Sequence, residues 1–214
     1  RDYKVTGVQT CALPILSSAV IVGALLVGDS MRGSLQHIAM DRIGKIERMV
    51  IAPRWFDQSS LARAESKFGK GSLHGLLFLQ SVVAEHRDQA VAGVTHRATE
   101  MSLLGIDEGF WKLGRIQPRQ GLGDQQIILN RALADKLQAV IGDRITIKVS
   151  RDAVVPADSA LGKRENEVVI LTRWEVVDIV PDESLGRFSL RSDQRPVMNA
   201  FASKESLQRF LELG

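Results

Sequence analysis

An α+β fold is predicted for this chain of 214 residues. Helix-like and strand-like segments occur without the regular strand–helix–strand rhythm of a doubly wound sheet. Residues 144–149 (RITIKV) alternate apolar and polar side chains, as a half-buried strand does. Residues 203–211 have the pattern of an amphipathic helix, with Ser203 as its N-cap. Residues 11–28 contain no charged side chain, so this N-terminal run differs from the rest of the chain.

The uncharged run, CALPILSSAVIVGALLVG, is close in length to a membrane-spanning helix. A bilayer core requires about 20 apolar residues in helical conformation, and residues 11–28 reach the lower limit of that range. We therefore expect a transmembrane helix, with a buried core helix and a cleaved signal peptide as alternatives. Basic residues flank the run on both sides, so the positive-inside rule does not fix its orientation.

Residues 1–15, RDYKVTGVQTCALPI, resemble the translated read-through of a sequencing adapter. The resemblance implies that these residues are not natural protein. Residues 16–28 would then be the C-terminal part of a transmembrane helix that begins upstream. The single cysteine, Cys11, lies in the adapter-like segment, so cysteine usage says nothing about the redox compartment.

The remaining elements follow from local patterns. A helical stalk is predicted over residues 29–46, because apolar or long side chains recur there at three- and four-residue steps, at Leu35, Ile38, Arg42 and Ile46. Strands are predicted at 48–52, 75–84, within 90–104, at 127–129, 144–149, 168–180 (one bent strand or two) and 197–202. Helices are predicted at 59–68, 130–137 and 203–211, with N-caps at Ser59 or Ser60, at Asn130 and at Ser203. Residues 150–166 and 181–196 are expected to form long loops.

Composition excludes several classes of function. The net charge is +3 with both signs mixed along the chain, and aromatic residues make up 5%, so nothing indicates a nucleic-acid-binding surface. One cysteine excludes an intramolecular disulfide framework and a cysteine-based zinc site. Residues 68–72 (FGKGS) lack the upstream glycine of a phosphate-binding loop, so a turn is expected there. The glycines Gly121 and Gly123 are expected to lie in a loop.

No catalytic, cofactor-binding or metal-ligating residue is predicted. The four histidines form no metal-binding pair, although His86 and His96 could face each other across a hairpin, and a surface position is favoured for them. The three tryptophans, Trp55, Trp111 and Trp174, are expected to pack in the core or at its rim, and a partner-binding role is the alternative for Trp111, which lies in a predicted turn. A membrane-anchored or secreted hydrolase stays open as an alternative, based on four loop carboxylates: Asp107, Glu108, Asp182 and Glu183.

Several segments resemble one family of membrane proteins. Residues 25–47, LLVGDSMRGSLQHIAMDRIGKIE, are similar to the end of the first membrane helix in ABC transporter permeases of the macrolide-exporter/FtsX-like class. Four further motifs resemble the periplasmic core domain of that family, at Gly105, Asp107 and Phe110; at Asn130, Leu133, Ala134 and Leu137; at Gly142, Asp143 and Ile145; and at Val176 and Ile179. The resemblance covers residues 20–214.

This resemblance implies a permease subunit of the bacterial inner membrane whose main domain, residues 47–214, is extracytoplasmic. It implies a cytoplasmic ATPase partner, a second permease copy, and a periplasmic partner protein or lipophilic substrate. The stalk would couple the membrane to the domain in export, lipoprotein release or transmembrane signalling. ATP hydrolysis is expected on the partner, and no cofactor or nucleic acid is expected on this chain. The chain would be a fragment that ends before the family's remaining membrane helices.

Overall fold

The computed structural model describes residues 6–51, 58–69, 73–87, 94–150, 168–190 and 195–211. The chain divides into two compact units, Arg1–Asp41 and Arg42–Gly214. Helix is concentrated in the first unit and strand in the second, so the predicted α+β class is confirmed. The predicted loop at 150–166 lies almost wholly outside the described residues, as do Trp55 and residues 70–72 of the glycine-rich turn.

The first unit is formed by one long helix, α1 (Thr6–Ile43), which runs from the uncharged segment into the polar stalk. The span Ile15–Ile43 is long and apolar enough to cross a membrane. Its large apolar side chains, such as Val20 and Leu25, are exposed, as expected for a helix that packs against lipid. The helix ends at Ile43, three residues before the predicted end of the stalk at Ile46.

Six strands of the second unit, within the described residues, close into a barrel in the order β1-β2-β6-β3-β5-β4. The pairs β2–β6 and β3–β5 are parallel, and the other pairs are antiparallel. The strands are β1 (Leu77–Arg87), β2 (Thr95–Ile106), β3 (Gln126–Asn130), β4 (Arg144–Ser150), β5 (Val168–Val180) and β6 (Asn199–Ser203). The helices of this unit are α2 (Gln58–Phe68), α3 (Arg131–Leu137) and α4 (Lys204–Phe210), with 3₁₀ helices at Phe110–Leu113 and Ser184–Arg187.

The barrel has an apolar cluster on each face. The inner cluster draws side chains from all six strands and from α3 and α4, including Leu103, Leu129, Trp174 and Leu207. The outer cluster lies on β2, β3, β5 and β6 and is completed by residues of the connecting loops. Successive residues of a strand point to opposite faces, which explains why Ile128 belongs to the outer cluster although its neighbours face inward.

Two local predictions are wrong. Residues 48–51 are irregular rather than a strand, and Met49, Val50 and Ile51 are exposed. A strand needs a partner, and within the described residues the closed barrel leaves no free edge for it. The helix α2 begins at Gln58, so Ser59 and Ser60 lie inside it and are not its N-cap.

Other local predictions are confirmed. Gly69, within the turn expected after the helix predicted at 59–68, follows the last residue of α2 with a positive φ of 103°, a conformation that glycine adopts without strain. The segment 168–180 is one strand, bent at Arg173, where φ is also positive. The predicted N-caps of α3 and α4 are correct: Asn130 accepts a hydrogen bond from the Leu133 N–H and Ser203 accepts one from the Ser206 N–H.

Asn130 also links three segments of the barrel. Its Oδ1 accepts hydrogen bonds from the backbone N–H groups of Leu133 (3.2 Å) and Asn199 (3.0 Å). Its Nδ2 donates to the carbonyl of Val197 at 2.6 Å. A single buried amide therefore holds the start of α3 against the start of β6.

Replacement of Asn130 by alanine should lower the free energy of unfolding by about 2–3 kcal/mol, because a helix cap is lost and buried backbone groups lose their partners. Denaturant unfolding of the full chain in detergent, followed by tryptophan fluorescence, measures this loss. The matched variant Ser203→Ala removes a less buried N-cap and should cost about 1 kcal/mol. Equal losses in the two variants would contradict the linking role of Asn130.

Asp124 ties the loop before β3 to α4. It accepts hydrogen bonds from Arg209 and from the Ser206 hydroxyl, and these bonds, that of Arg209 foremost, hold the pKa of the Asp124 carboxyl below its ordinary value. In return, the hydrogen bond to Asp124 and the charge of its carboxylate raise the pKa of the Arg209 guanidinium above its ordinary value. The bonded carboxylate therefore stabilises the fold at neutral pH.

Acid should remove this stabilisation. Because the folded pKa of Asp124 is the lower one, its contribution is present above the unfolded value of about 3.9 and is lost as the pH falls through the folded value. The melting temperature should therefore fall less between neutral and acid pH in Asp124→Asn than in the unmodified chain. Exposed Asp135 provides the control, since Asp135→Asn should keep the original acid sensitivity. An unchanged acid response in Asp124→Asn would refute the assignment.

Candidate functional site

The last residues of α1 and those just after it are fixed on the domain, and we call residues 42–46 the anchor segment. The backbone N–H of Lys45 donates a hydrogen bond of 2.7 Å to the carbonyl of Leu113, at the end of the first 3₁₀ helix. Ile46 packs against the outer apolar cluster. Arg42 is buried, which is rare for an arginine side chain. The second unit is therefore held together from its first residue, Arg42, onward.

Gly44 makes this close approach possible. Its φ of +58° lies in the left-handed region, which residues with a Cβ adopt only at a cost. A Cβ at this position would also overlap the carbonyl oxygen of Leu113. Both constraints apply to one residue, so the anchor segment requires glycine there.

The turn that receives the anchor segment, residues 107–114, is braced by a carboxylate. Asp107 contacts Nδ1 of His74 through Oδ2 at 3.2 Å and accepts a hydrogen bond from the Gly109 N–H through Oδ1 at 3.0 Å. The His74 ring occupies the space that a Cβ on Gly109 would fill. The turn is therefore held to the segment before β1 by side-chain contacts as well as by its own backbone.

Aromatic rings connect this turn to the barrel. The rings of Phe110 and Trp111 lie 6.0 and 4.8 Å from that of Phe201 on β6, between centroids, and Phe110 also lies 6.0 Å from Phe188. Trp111 is only 5% exposed. The expected packing of Trp111 is therefore confirmed and the alternative of an exposed, partner-binding side chain is wrong, because the outer face of the barrel covers the indole.

A second loop, residues 181–190, closes over the same cluster. The Ser184 hydroxyl accepts a hydrogen bond from the Arg115 N–H at 3.1 Å. Asn199 donates from Nδ2 to the carbonyls of Gly186 (3.3 Å) and Phe188 (2.9 Å). Sequence reasoning missed Asn199; the available signal was a polar residue, disfavoured in strands, inside the predicted apolar strand 197–202.

The four carboxylates of the hydrolase alternative have separate local roles. Asp107 contacts His74, and Asp182 accepts a hydrogen bond from the Ala132 N–H at 3.2 Å, at the start of α3. Glu108 and Glu183 are exposed. The structure thus supplies no observation in favour of a carboxylate pair acting on one substrate.

The histidines are placed partly as predicted. His86 and His96 are directly opposite in the β1–β2 pair, with stacked rings whose centroids lie 6.5 Å apart. His86 is 4% exposed, so the surface position favoured for it is wrong; the barrel buries it at the junction with α3. Within the described part of the chain, no three His, Cys, Asp or Glu side chains gather in a way that could hold a metal ion.

Comparison with known protein families identifies the type of domain. The sequence model of a protein family described as "MacB-like periplasmic core domain" matches residues 15–211. No curated protein matches the chain.

Replacement of Gly44 by alanine should destabilise the second unit by about 2–3 kcal/mol, through left-handed strain and loss of the Lys45–Leu113 hydrogen bond. Fluorescence-detected unfolding of the full chain in detergent measures the loss, and hydrogen exchange at the Lys45 amide should become faster. Gly121→Ala is the control, because Gly121 has an open surrounding and no positive φ. It should leave stability unchanged or raise it by about 0.4–1 kcal/mol. A fully stable Gly44→Ala chain with a protected Lys45 amide would rule out the anchoring role.

Proposed function

The chain belongs to the MacB-like periplasmic core domain family, and from this membership we propose that its anchor segment transmits motion from the membrane to an extracytoplasmic domain. Membership gives the chain a permease-type role in an ABC transporter assembly with a cytoplasmic ATPase as partner. The match and the apolar helix α1 together make it a membrane protein with an extracytoplasmic domain.

The observation that carries the proposal is the position of the Lys45–Leu113 hydrogen bond. Only Gly44 separates the last residue of α1 from the bonded Lys45. A flexible linker would absorb a displacement of the helix end, whereas one residue in a sterically constrained conformation has little freedom to do so. A shift or rotation at the end of α1 would therefore reach Leu113 directly.

The packing around Leu113 supports transmission into the barrel as a whole. Phe110 and Trp111 contact Phe201 on β6, and the loop that carries Phe188 is held by Asn199 of the same strand. Close-packed interiors are nearly incompressible and pass strain on to their neighbours. The domain would then move as one body, with its energy supplied by ATP hydrolysis on the partner.

In this proposal residues 16–28 lie in the bacterial inner membrane, residues 29–46 form the stalk and residues 47–214 form the extracytoplasmic domain. A second permease copy completes the assembly, and the moving domain acts on a periplasmic protein or a lipophilic substrate. Export, lipoprotein release and transmembrane signalling all require this coupling step. This chain contributes no catalytic residue to it.

Insertion of Gly-Gly-Ser between Gly44 and Lys45 should uncouple the domain from the membrane helix. The test uses the complete protein with its ATPase subunit in vesicles, with Cys11 replaced by serine. A donor dye on Lys136→Cys, an exposed position, reports energy transfer to acceptor-labelled lipid headgroups. ATP should change the transfer in the unmodified protein, and the insertion should abolish or strongly reduce that change while ATP hydrolysis continues.

The same three residues inserted between Gln120 and Gly121, both exposed, serve as the control. This insertion lengthens a surface loop and should leave the ATP-dependent change intact. The proposal fails if the Gly44–Lys45 insertion also leaves the change intact.

A further inference from the structure

The buried ring of His86 has one nitrogen that is hydrogen-bonded and one that is not. Its Nδ1 lies 3.0 Å from the carbonyl oxygen of Leu137, the last residue of α3. Its Nε2 has no hydrogen-bond partner among the described residues, although His86 is only 4% exposed. Buried polar atoms are nearly always paired, so this unpaired nitrogen calls for an explanation.

The contact at Nδ1 decides what Nε2 presents. A carbonyl oxygen only accepts hydrogen bonds, so the N–H of the ring is on Nδ1, and a ring with one N–H has a lone pair on Nε2. This nitrogen lies 3.3 Å from Oδ2 of Asp143, in the turn between α3 and β4. That oxygen is an acceptor too, since the Val140 N–H donates to it at 2.8 Å. Two lone pairs therefore face each other, and a cation that binds both would make the arrangement favourable.

We propose that Nε2 of His86 and Oδ2 of Asp143 bind a divalent transition-metal ion of the Zn²⁺ type. Imidazole nitrogen and carboxylate oxygen are both ligands of Zn²⁺, at bond lengths of about 2.0–2.2 Å. Tetrahedral coordination with such bonds places two ligand atoms about 3.4 Å apart. The observed separation of 3.3 Å between Nε2 and Oδ2 agrees with this value. The two ligands therefore already have the spacing that the ion requires.

The groups behind the two ligands hold them in place. A histidine that binds a metal usually donates its other ring N–H to a carbonyl or carboxylate, which fixes the tautomer and the orientation of the ring. The Leu137 carbonyl takes this role for His86. Asp143 is held by the Val140 N–H, and its own N–H donates back to the Val140 carbonyl at 3.1 Å. Both ligands are thus positioned before an ion binds.

The protein supplies two ligands in this proposal, and water completes the coordination. His96 stacks on His86 with the ring planes 23° apart and the centroids 6.5 Å apart. The lone pair of a ring nitrogen lies in the plane of the ring, so two stacked rings do not converge on one ion. This agrees with the lack of a three-ligand group in the described part of the chain. The Asp143 side chain is 22% exposed, which gives water and the ion access to the site.

A bound ion would join the end of β1 to the turn of residues 138–143. This turn displays two apolar side chains to solvent, Val140 and Ile141, which are 64% and 51% exposed. An ion that binds only the folded domain stabilises it by mass action, so the ion should order the turn and raise the melting temperature. Mg²⁺ prefers oxygen ligands and should not replace Zn²⁺ here. The inference concerns the domain itself and does not depend on the coupling role of the anchor segment.

Calorimetric titration of the full chain in detergent with Zn²⁺ tests the site, with Cys11→Ser in every sample to remove the single thiol. The chain should bind Zn²⁺ and then melt at a higher temperature, whereas Mg²⁺ should have neither effect. His86→Gln and Asp143→Asn should each weaken Zn²⁺ binding by more than about tenfold, the smallest loss typical even for a group that only orients a ligand. The matched control is His74→Gln, which removes the histidine that contacts Asp107 and should leave the affinity unchanged.

Nuclear magnetic resonance of the ring nitrogens in the Cys11→Ser chain decides the question if a ligand variant does not fold. Zn²⁺ should shift the Nε2 resonance of His86, while Nδ1 keeps its proton, and should shift the Val140 and Asp143 amides with it. The proposal is overturned if the chain binds no Zn²⁺, or if His86→Gln or Asp143→Asn binds it as tightly as the parent chain. It is also overturned if His74→Gln abolishes binding, or if Zn²⁺ shifts other histidines but not His86.

Discussion

Closure of the barrel is the constraint on which the other features of the domain depend. Every strand described pairs on both sides, so no chain segment can add to the sheet as a further strand. The connections must lie over the faces or ends of the barrel. Because β2, β3, β5 and β6 carry apolar side chains outward as well as inward, the outer face also needs a cover. The loops 107–114 and 181–190 supply it, with Ile46 from the anchor segment.

This cover explains why the anchor segment and the aromatic residues occur together. The first 3₁₀ helix buries Phe110 and Trp111 on the outer face and leaves the Leu113 carbonyl available to Lys45. The chain that leaves α1 therefore meets a rigid part of the domain. In the coupling role proposed above, a displacement from the membrane would enter the domain at this place.

Polar side chains brace the segments that apolar packing does not hold. Asp107 fixes the first loop, Asn199 the second, and Asn130 the start of α3. His86 adds a contact at the end of α3, where its Nδ1 lies 3.0 Å from the carbonyl oxygen of Leu137.

Local chemistry was sufficient to predict α3 with its Asn130 cap, α4 with its Ser203 cap and β4 from its alternation, since each depends on residues close in sequence. The family was indicated by the resemblance of short segments to known permeases. Segment 48–52 was misread because its apolar composition suits a strand, whereas strand formation depends on a free edge elsewhere. Burial of Trp111 and His86, the linking role of Asn199 and the overlap at Gly44 depend on contacts between residues 11 to 90 positions apart. Such contacts follow from the order of the strands around the closed barrel. That order is a property of the whole domain, and only the tertiary structure decided it.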